Sequence, residues 1–346
     1  MLLPAGKLPV DLLRKFLRSL PAPDSSVTIG PAVGEDAAVL DLGGPKLVVV
    51  KTDPITFATH DIGRYLLAVN SNDLATMGAR PRWLVVTTLL PEGISPERVE
   101  VILESVRQAC LEAGVALVGG HTEITLGLDR PILIGCLLGT VARGRLVRTS
   151  GAGVGDALVL AGGIAIEGSA ILASEHGEQL RNRGVSPALI ETAASWRHDP
   201  GISILAAANA LNATGVVHAM HDPTEGGLIT ALHELADAAG VGLRIDGKAI
   251  PVLPACRIIC EALGLDPLGL LASGSLVAAL DPAEVPAALN RLEACGIPSA
   301  HIGEIVPAGQ GRILNDGDRS QALPTFSRDE LARYLEGESP RKNGCK

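Results

Sequence analysis

Only 2% of this chain is aromatic, although 47% of its residues are apolar. A core with so few rings has to be tiled by Ala, Val, Leu and Ile, which suits an α/β arrangement of parallel or mixed sheets covered by helices. With 346 residues, two such cores in two domains are expected. The 40 Gly and 23 Pro are scattered along the chain and read as turns rather than as a disordered tail.

Periodicity supplies the elements. Residues 8–20 form a short helix with Leu12, Leu13, Phe16 and Leu20 on one face. Strands are expected over 27–42, 46–52 and 83–89, and helices over 61–77 and 97–113. In the second helix Val99, Ile102, Leu103, Val106 and Cys110 recur at helical spacing, so Cys110 reads as a small core residue. Strands at 115–118 and 132–141 complete the first half. A glycine-rich joint at 150–155 places the domain boundary near residue 152. The second half is expected to hold strands at 157–161, 241–245 and 276–280. Its helices are expected near 167, 187 and 202 and over 223–239, 254–263 and 284–295. The domains are thus 1–152 and 153–338, with 339–346 a frayed tail.

Charge and cysteines exclude several classes. The net charge is −9 with no Lys/Arg run, which together with the few aromatics argues against a nucleic-acid partner. An acidic chain can still bind a nucleotide where a divalent cation screens the phosphates. No two of the six cysteines form a C-x-x-C pair, so no zinc site is expected. The start lacks a basic region followed by an apolar stretch, and the run 131–142 is too short for a bilayer, which needs roughly 20 residues. The expectation is a cytoplasmic protein with no membrane partner and reduced thiols. P-loop, Rossmann, nucleophile-elbow and H-E-x-x-H patterns are absent.

Several acidic motifs remain. Gly34-Glu35-Asp36 precedes a strand, Asp53 ends one, and Asn70, Asn72 and Asp73 sit on the helix 61–77. Gly119-Gly120-His121-Thr122-Glu123 follows a short strand, where a loop can expose backbone N–H groups. Carboxylates gathered at strand ends need a cation between them, and magnesium with ATP phosphates is one solution. Singly, each has an ordinary reading: Asp53 before Pro54 starts a turn, and Asn70 with Asp73 forms a solvated stripe. His221-Asp222-Pro223-Thr224-Glu225-Gly226-Gly227 reads as a helix start, with Asp222 as N-cap and Glu225 closing a capping box. Capping leaves Gly226-Gly227 unexplained, since each costs roughly 1 kcal/mol against Ala in a helix. Close approach of an anionic ligand to a helix N-terminus would explain them. Gly162-Gly163 through Glu167-Gly168 is a weaker turn of the same kind.

In order, these motifs resemble the aminoimidazole ribonucleotide synthetase (PurM-like) superfamily, which includes thiamine-monophosphate kinase, selenophosphate synthetase and the hydrogenase maturation factors of the HypE branch. The resemblance runs from about Gly30 to about Ile305 and is carried by Gly34 to Val39, Thr52-Asp53 and Val69 to Pro81. Met220 to Leu228, Cys260 to Pro267 and Ile302 to Ile305 look most like HypE. It implies a homodimer whose N-terminal strands share a barrel, a C-terminal α/β domain, and ATP in a cleft near the subunit interface. Asp36, Asp53 and Asp73 would then hold Mg2+. Asn70, Asn72, Gly119, Gly120, Thr122, Gly226 and Gly227 would line the nucleotide site with them. His121, Glu123, Asp222 and Glu225 would serve the chemistry. The implied reaction is phosphoryl transfer onto a carboxamide or thiocarboxamide oxygen during metallocentre maturation, with a carbamoyl-donating partner protein. Thiamine monophosphate, formylglycinamidine ribonucleotide, or a non-catalytic nucleotide-binding role in an assembly complex stay open. The branch's Pro-Arg-Ile-Cys tail is altered here: Pro340-Arg341 continues to a penultimate Cys345. His121 stands where the cyclo-ligase and the thiamine kinase carry an acidic residue, leaving Glu123 to compensate.

Overall fold

The computed structural model describes residues 8–56, 61–317 and 319–338. The expected tail at 339–346, Cys345 included, lies outside the described residues. After α1 (Val10–Leu17), the N-terminal half holds β1 (Val27–Ile29), β2 (Ala38–Leu40), β3 (Lys46–Ile55), α2 (Ile62–Thr76), β4 (Arg80–Pro91), α3 (Pro96–Ala113), β5 (Ala116–Thr125) and β6 (Ile132–Ala142). Its six strands form one sheet in the order β1-β2-β3-β6-β4-β5. Only the β4–β5 pair is parallel.

The C-terminal half holds β7 (Ala157–Ala161), α4 (Ile166–Glu175), α5 (Gly177–Asn182), α6 (Pro187–Ser195), α7 (Leu205–Asn212), β8 (Val217–His221), α8 (Gly227–Ala239), β9 (Gly242–Asp246), α9 (Pro254–Leu263), β10 (Leu276–Leu280), α10 (Val285–Ala294), β11 (Ser299–Val306), β12 (Arg312–Asp316), β13 (Arg319–Ala322) and α11 (Glu330–Glu338). Its sheet runs β13-β12-β9-β11-β7-β10-β8, with β12–β9 the parallel pair. The fold is mixed α/β with two sheets, as expected. No helix of the described residues is long and apolar enough to cross a membrane.

The cores follow from side-chain phase. In β7, Leu158 and Leu160 pack with α8 on one face, while Ala157, Val159 and Ala161 pack with α7 and α10 on the other. Both faces are therefore sealed, and every residue of β7 and β10 is buried. The N-terminal sheet is covered on one face by α2 and α3, where Leu47, Val49, Leu84, Val86, Leu133 and Leu137 meet Leu66, Leu74 and Ile102. The opposite phase of the same strands is apolar too, and only half-buried.

α2 is the axle between the halves and is buried almost all round. It lies close to α3 because Gly63 has no side chain; a Cβ there would sit 2.4 Å from the Ser105–Val106 backbone. Asn72 clasps the C-terminal half: its amide donates to Ile202 O at 2.8 Å, and its Oδ1 accepts from Ile204 N at 3.0 Å.

Three local expectations are corrected. The strand expected over 27–42 is a hairpin, β1 and β2, opened by the loop 30–37, in which Gly34 adopts φ +89°. The loop expected at Gly119–Glu123 is strand: β5 stays paired with β4 as far as Thr125. There Gly120 allows an approach that a Cβ, 2.0 Å from Val86 O, would forbid. The capping box at Asp222–Glu225 does not form. α8 starts later, at Gly227, and Gly226 and Gly227 have φ of +82° and +66°. That left-handed turn re-aims the chain, and Asp222 goes to the seam between the halves instead of the helix end.

Candidate functional site

Strand phase explains how charge reaches the seam. β3 alternates, and Leu47, Val49 and Ile55 point under α2. Lys51 and Asp53 share that phase, so two charged side chains face the helix. α2 answers with Asp73. The Lys51 Nζ lies 2.9 Å from Asp73 Oδ2 and 3.3 Å from Asp53 Oδ2. Asn70, one helical step away, fixes the strand: its Oδ1 accepts from Asp53 N at 3.0 Å, and its Nδ2 donates to Leu66 O at 2.9 Å. Gly135 sits opposite Asp53 on β6, and a Cβ there would lie 2.8 Å from the Asn70 amide. The glycine is what makes room for the clamp.

The C-terminal half closes the group. The loop 30–37 leans on α8, where a Cβ on Gly34 would sit 2.9 Å from Ala238 Cβ. This brings Asp36 to His221 at the end of β8, with Oδ1 and Nδ1 2.8 Å apart. His221 Nε2 pairs with Glu234 Oε2 at 3.0 Å. The Thr149 hydroxyl reaches Asp36 Oδ2 at 3.4 Å, and Ser150 donates to Glu35. Ligand atoms of Asp36, His221 and Asp222 all lie within 4.8 Å of one another.

The charges of this cluster feel one another. Burial pushes the Asp73 carboxyl well above its usual range. Lys51 opposes that shift, and the charges of Asp222, Asp53 and Asp36 add to it. Burial and then Asp36 push Asp222 up to about 6, against the pull of His221 and Lys51. Burial disfavours the Lys51 ammonium, but Asp73, Asp53 and Asp36 more than offset it and hold its pKa above the usual lysine range. His221 behaves alike: burial works against its charge, and Asp36 and Glu234 raise its pKa well above the ordinary histidine value. His221 sits between the Asp36 and Glu234 carboxylates, and with Asp36 and Asp222 it offers one of three ligand atoms close enough to share an ion. The carboxylates still outnumber the lysine and the histidine, and the two carboxylates of the Asp36–His221–Asp222 group suit a hard divalent ion.

The structure thus gathers two adjoining groups at the seam: Asp36 and Asp222 around His221, and Asp53 and Asp73 around Lys51. Among the described residues the expected trio Asp36, Asp53 and Asp73 is not itself drawn to ligand distance; the set that is comprises Asp36, His221 and Asp222. Asn70 is the strand clamp and Asn72 the clasp between halves. Glu225, Gly226 and Gly227 belong to a second group with Glu167 and Asp329. Asp329 Oδ2 accepts from Gly226 N at 2.6 Å. Burial lifts the Glu167 carboxyl to about 7; a Ser273 hydrogen bond lowers it, and the charges of Glu225 and Asp329 raise it. Gly119, Gly120, His121, Thr122 and Glu123 stand apart, on the edge strand β5. Two strands lie between β5 and β3 in the sheet, so roughly 14 Å separates them at the usual strand spacing. His121 and Glu123 pair with each other at 3.0 Å, with 65% and 48% of their side chains exposed. Sequence reasoning missed Lys51, His221 and Glu234 as members of the cluster. The signal for Lys51 was present: a lysine in phase with Leu47, Val49 and Ile55.

Comparisons with known proteins identify the family and the fold. The family model of the N-terminal domain of AIR synthase related protein matches residues 34–141, and that of the C-terminal domain matches residues 153–314. Carbamoyl dehydratase HypE of Cupriavidus necator is 33% identical over 286 residues, covering 80% of this chain and 78% of that protein. Carbamoyl dehydratase HypE of Escherichia coli K12 is 30% identical over 267 residues, 73% of each chain. The crystal structure of hydrogenase maturation protein HypE in complex with ATP is similar with a TM-score of 0.66 at 26% identity, covering 88% of this chain and 92% of that one.

Proposed function

The chain belongs to the AIR synthase related protein family, and on that premise we propose that it is an ATP-dependent enzyme of the HypE kind. It activates the oxygen of a carboxamide or thiocarboxamide by phosphoryl transfer, in the maturation of hydrogenase or another metallocentre. The observation that carries this reading is the acidic seam between the two halves, with Asp53 and Asp73 on Lys51 beside Asp36 and Asp222 on His221, in a chain whose relatives are named carbamoyl dehydratase.

The reaction asks mainly for position and charge neutralisation. The acceptor oxygen takes the γ-phosphoryl group, ADP leaves, and the oxygen later departs as phosphate. The net result is loss of water from the amide. Asp36, Asp53 and Asp73 would hold magnesium, which when bound screens the phosphate charges. Asn70 keeps Asp53 in place from the strand side, and Asn72 holds the C-terminal half, with Asp222, against it.

The working unit in this reading is a cytoplasmic homodimer with domains 1–152 and 153–338. The support is the uncovered side of the N-terminal sheet. Val48, Val50, Val85, Ile134 and Leu138 are only half-buried there. On the edge strand Leu117, Val118 and Ile124 are 51%, 57% and 63% exposed. An apolar face of this kind next to an open strand edge calls for a second copy. In the shared barrel that the family resemblance implies, His121 and Glu123 would serve a nucleotide site near the subunit interface. A carbamoyl-donating protein would supply the group. The test is ATP turnover with magnesium, with intact mass followed in the presence of a carbamoyl donor. A mass change that persists in Cys345→Ser would refute a role for that thiol. Absence of ATP turnover under every condition would refute the enzyme reading.

A further inference from the structure

One group in the cluster has no part in the reading above. The Lys51 ammonium sits between Asp53 and Asp73, two of the three carboxylates given to the divalent ion, at 3.3 and 2.9 Å. It is held there from both sides of the chain. The backbone of β3 fixes Lys51 and Asp53 on one face, and α2 lowers Asp73 onto them. Only 24% of the lysine side chain is exposed, and 9% of the Asp73 side chain. An exposed lysine–aspartate pair is a weak and mobile contact. Here the carboxylate is sequestered, and removing its cation would leave a charge buried without a partner. The other lobe of the cluster, Asp36 with Asp222, is served by His221 instead.

We propose that Lys51 is the resident occupant of one cation position in the site. In the metal-free protein its ammonium holds Asp53 and Asp73 on either side of that position. A divalent ion can take both carboxylates only by displacing that ammonium. Free of nucleotide, the protein therefore binds fewer divalent ions than its carboxylates could hold. ATP, whose phosphates offer the ammonium a new partner, tips the exchange towards the metal. Lys51 is in this sense a positioning residue: it sets the order in which metal and nucleotide arrive. The inference rests on the cation reading of Asp36, Asp53 and Asp73.

The experiment is manganese binding to the full chain, followed by electron paramagnetic resonance and calorimetry, without and with a non-hydrolysable ATP analogue. The wild type is compared with Lys51→Met, Lys51→Gln and Lys51→Arg. Without nucleotide, Lys51→Met and Lys51→Gln should take up one more Mn2+ per chain, or bind their last Mn2+ at least tenfold more tightly. Lys51→Arg should behave as the wild type. The metal-free Met and Gln variants should melt at lower temperature than the wild type, and added Mn2+ should close that gap. Adding Asp53→Asn to Lys51→Met should remove the extra ion. Equal Mn2+ stoichiometry and affinity in the wild type and both neutral variants, with nucleotide-dependent Mn2+ uptake intact in all three, would overturn the role of Lys51 alone. No Mn2+ uptake by any variant, even with nucleotide, would overturn the cation reading together with it.

Discussion

The two sheets are built from the same few residue types and are finished differently. The C-terminal sheet is sealed on both faces, with α8 on one side and α7 and α10 on the other. The N-terminal sheet is sealed under α2 and α3 and leaves an apolar face and the strand β5 uncovered. The finished sheet carries its own stability. The unfinished one supplies most of the charge at the seam and leaves apolar surface that the proposed second copy would cover. Sealing and charge are thus divided between the halves, and the division can be tested.

The largest effect is expected at the seam. Asp53→Asn keeps the shape, removes one charge and turns one acceptor oxygen into a donor, so ATP turnover with magnesium should fall roughly 10³-fold, worth about 4 kcal/mol. Unchanged turnover in both Asp53→Asn and Asp73→Asn would dissociate the charge cluster from the chemistry. The sealed sheet comes next. Leu160, with no exposed surface, should cost about 2–5 kcal/mol when cut to Ala, read by chemical denaturation. Val50→Ala, on the open face of β3, should cost under about 1 kcal/mol in a dilute, monomeric sample. Similar losses at both positions would erase the contrast.

Glu167 gives a pH test. Its pKa in the folded chain is about 7, above the ordinary 4.5, because burial disfavours the charged form. A pKa raised on folding means that the contribution of this group is complete below about pH 4.5 and is lost as pH rises through about 7. Glu167→Gln should therefore gain roughly 3 kcal/mol over the wild type at pH 8 and little at pH 4, measured as denaturation midpoints. A flat difference between the two pH values would show that burial is not what perturbs the carboxyl. The smallest effect belongs to the open edge. Ile124→Lys should weaken self-association about 10–100-fold by sedimentation and leave the melting of the C-terminal half unchanged. A wild type that is monomeric at high concentration would end the case for a missing second copy.

Sequence periodicity reached the elements that repeat a strong pattern. The expected strand 276–280 is β10 to the residue, and the expected helix 254–263 is α9. It missed β8, β11, β12 and β13. β13 is four exposed residues, Arg-Ser-Gln-Ala, with no alternation to detect. β11 is interrupted by Gly303, and its pairing register slips between His301 and Gly303. The three seam aspartates were legible as motifs. Of their neighbours, Lys51 was legible in strand phase and was overlooked, whereas the pairing of His221 with Asp36 depends on how loop 30–37 leans on α8, a contact far apart in sequence. Asp222 misled local reasoning for the same reason. Asp-Pro-Thr-Glu is an excellent helix start on its own, and only the two left-handed glycines turn it away.

Asn72 and Gly34 have a consequence for inheritance. One stitches α2 to the backbone at 202–204, and the other lets the Asp36 loop rest on α8. The halves of this protein cannot be exchanged like cassettes between relatives. A chimera joined at the glycine-rich bend would keep two sound cores and bring its aspartates together only if the borrowed half also carried a matching ledge for the loop and an open carbonyl and amide for the asparagine.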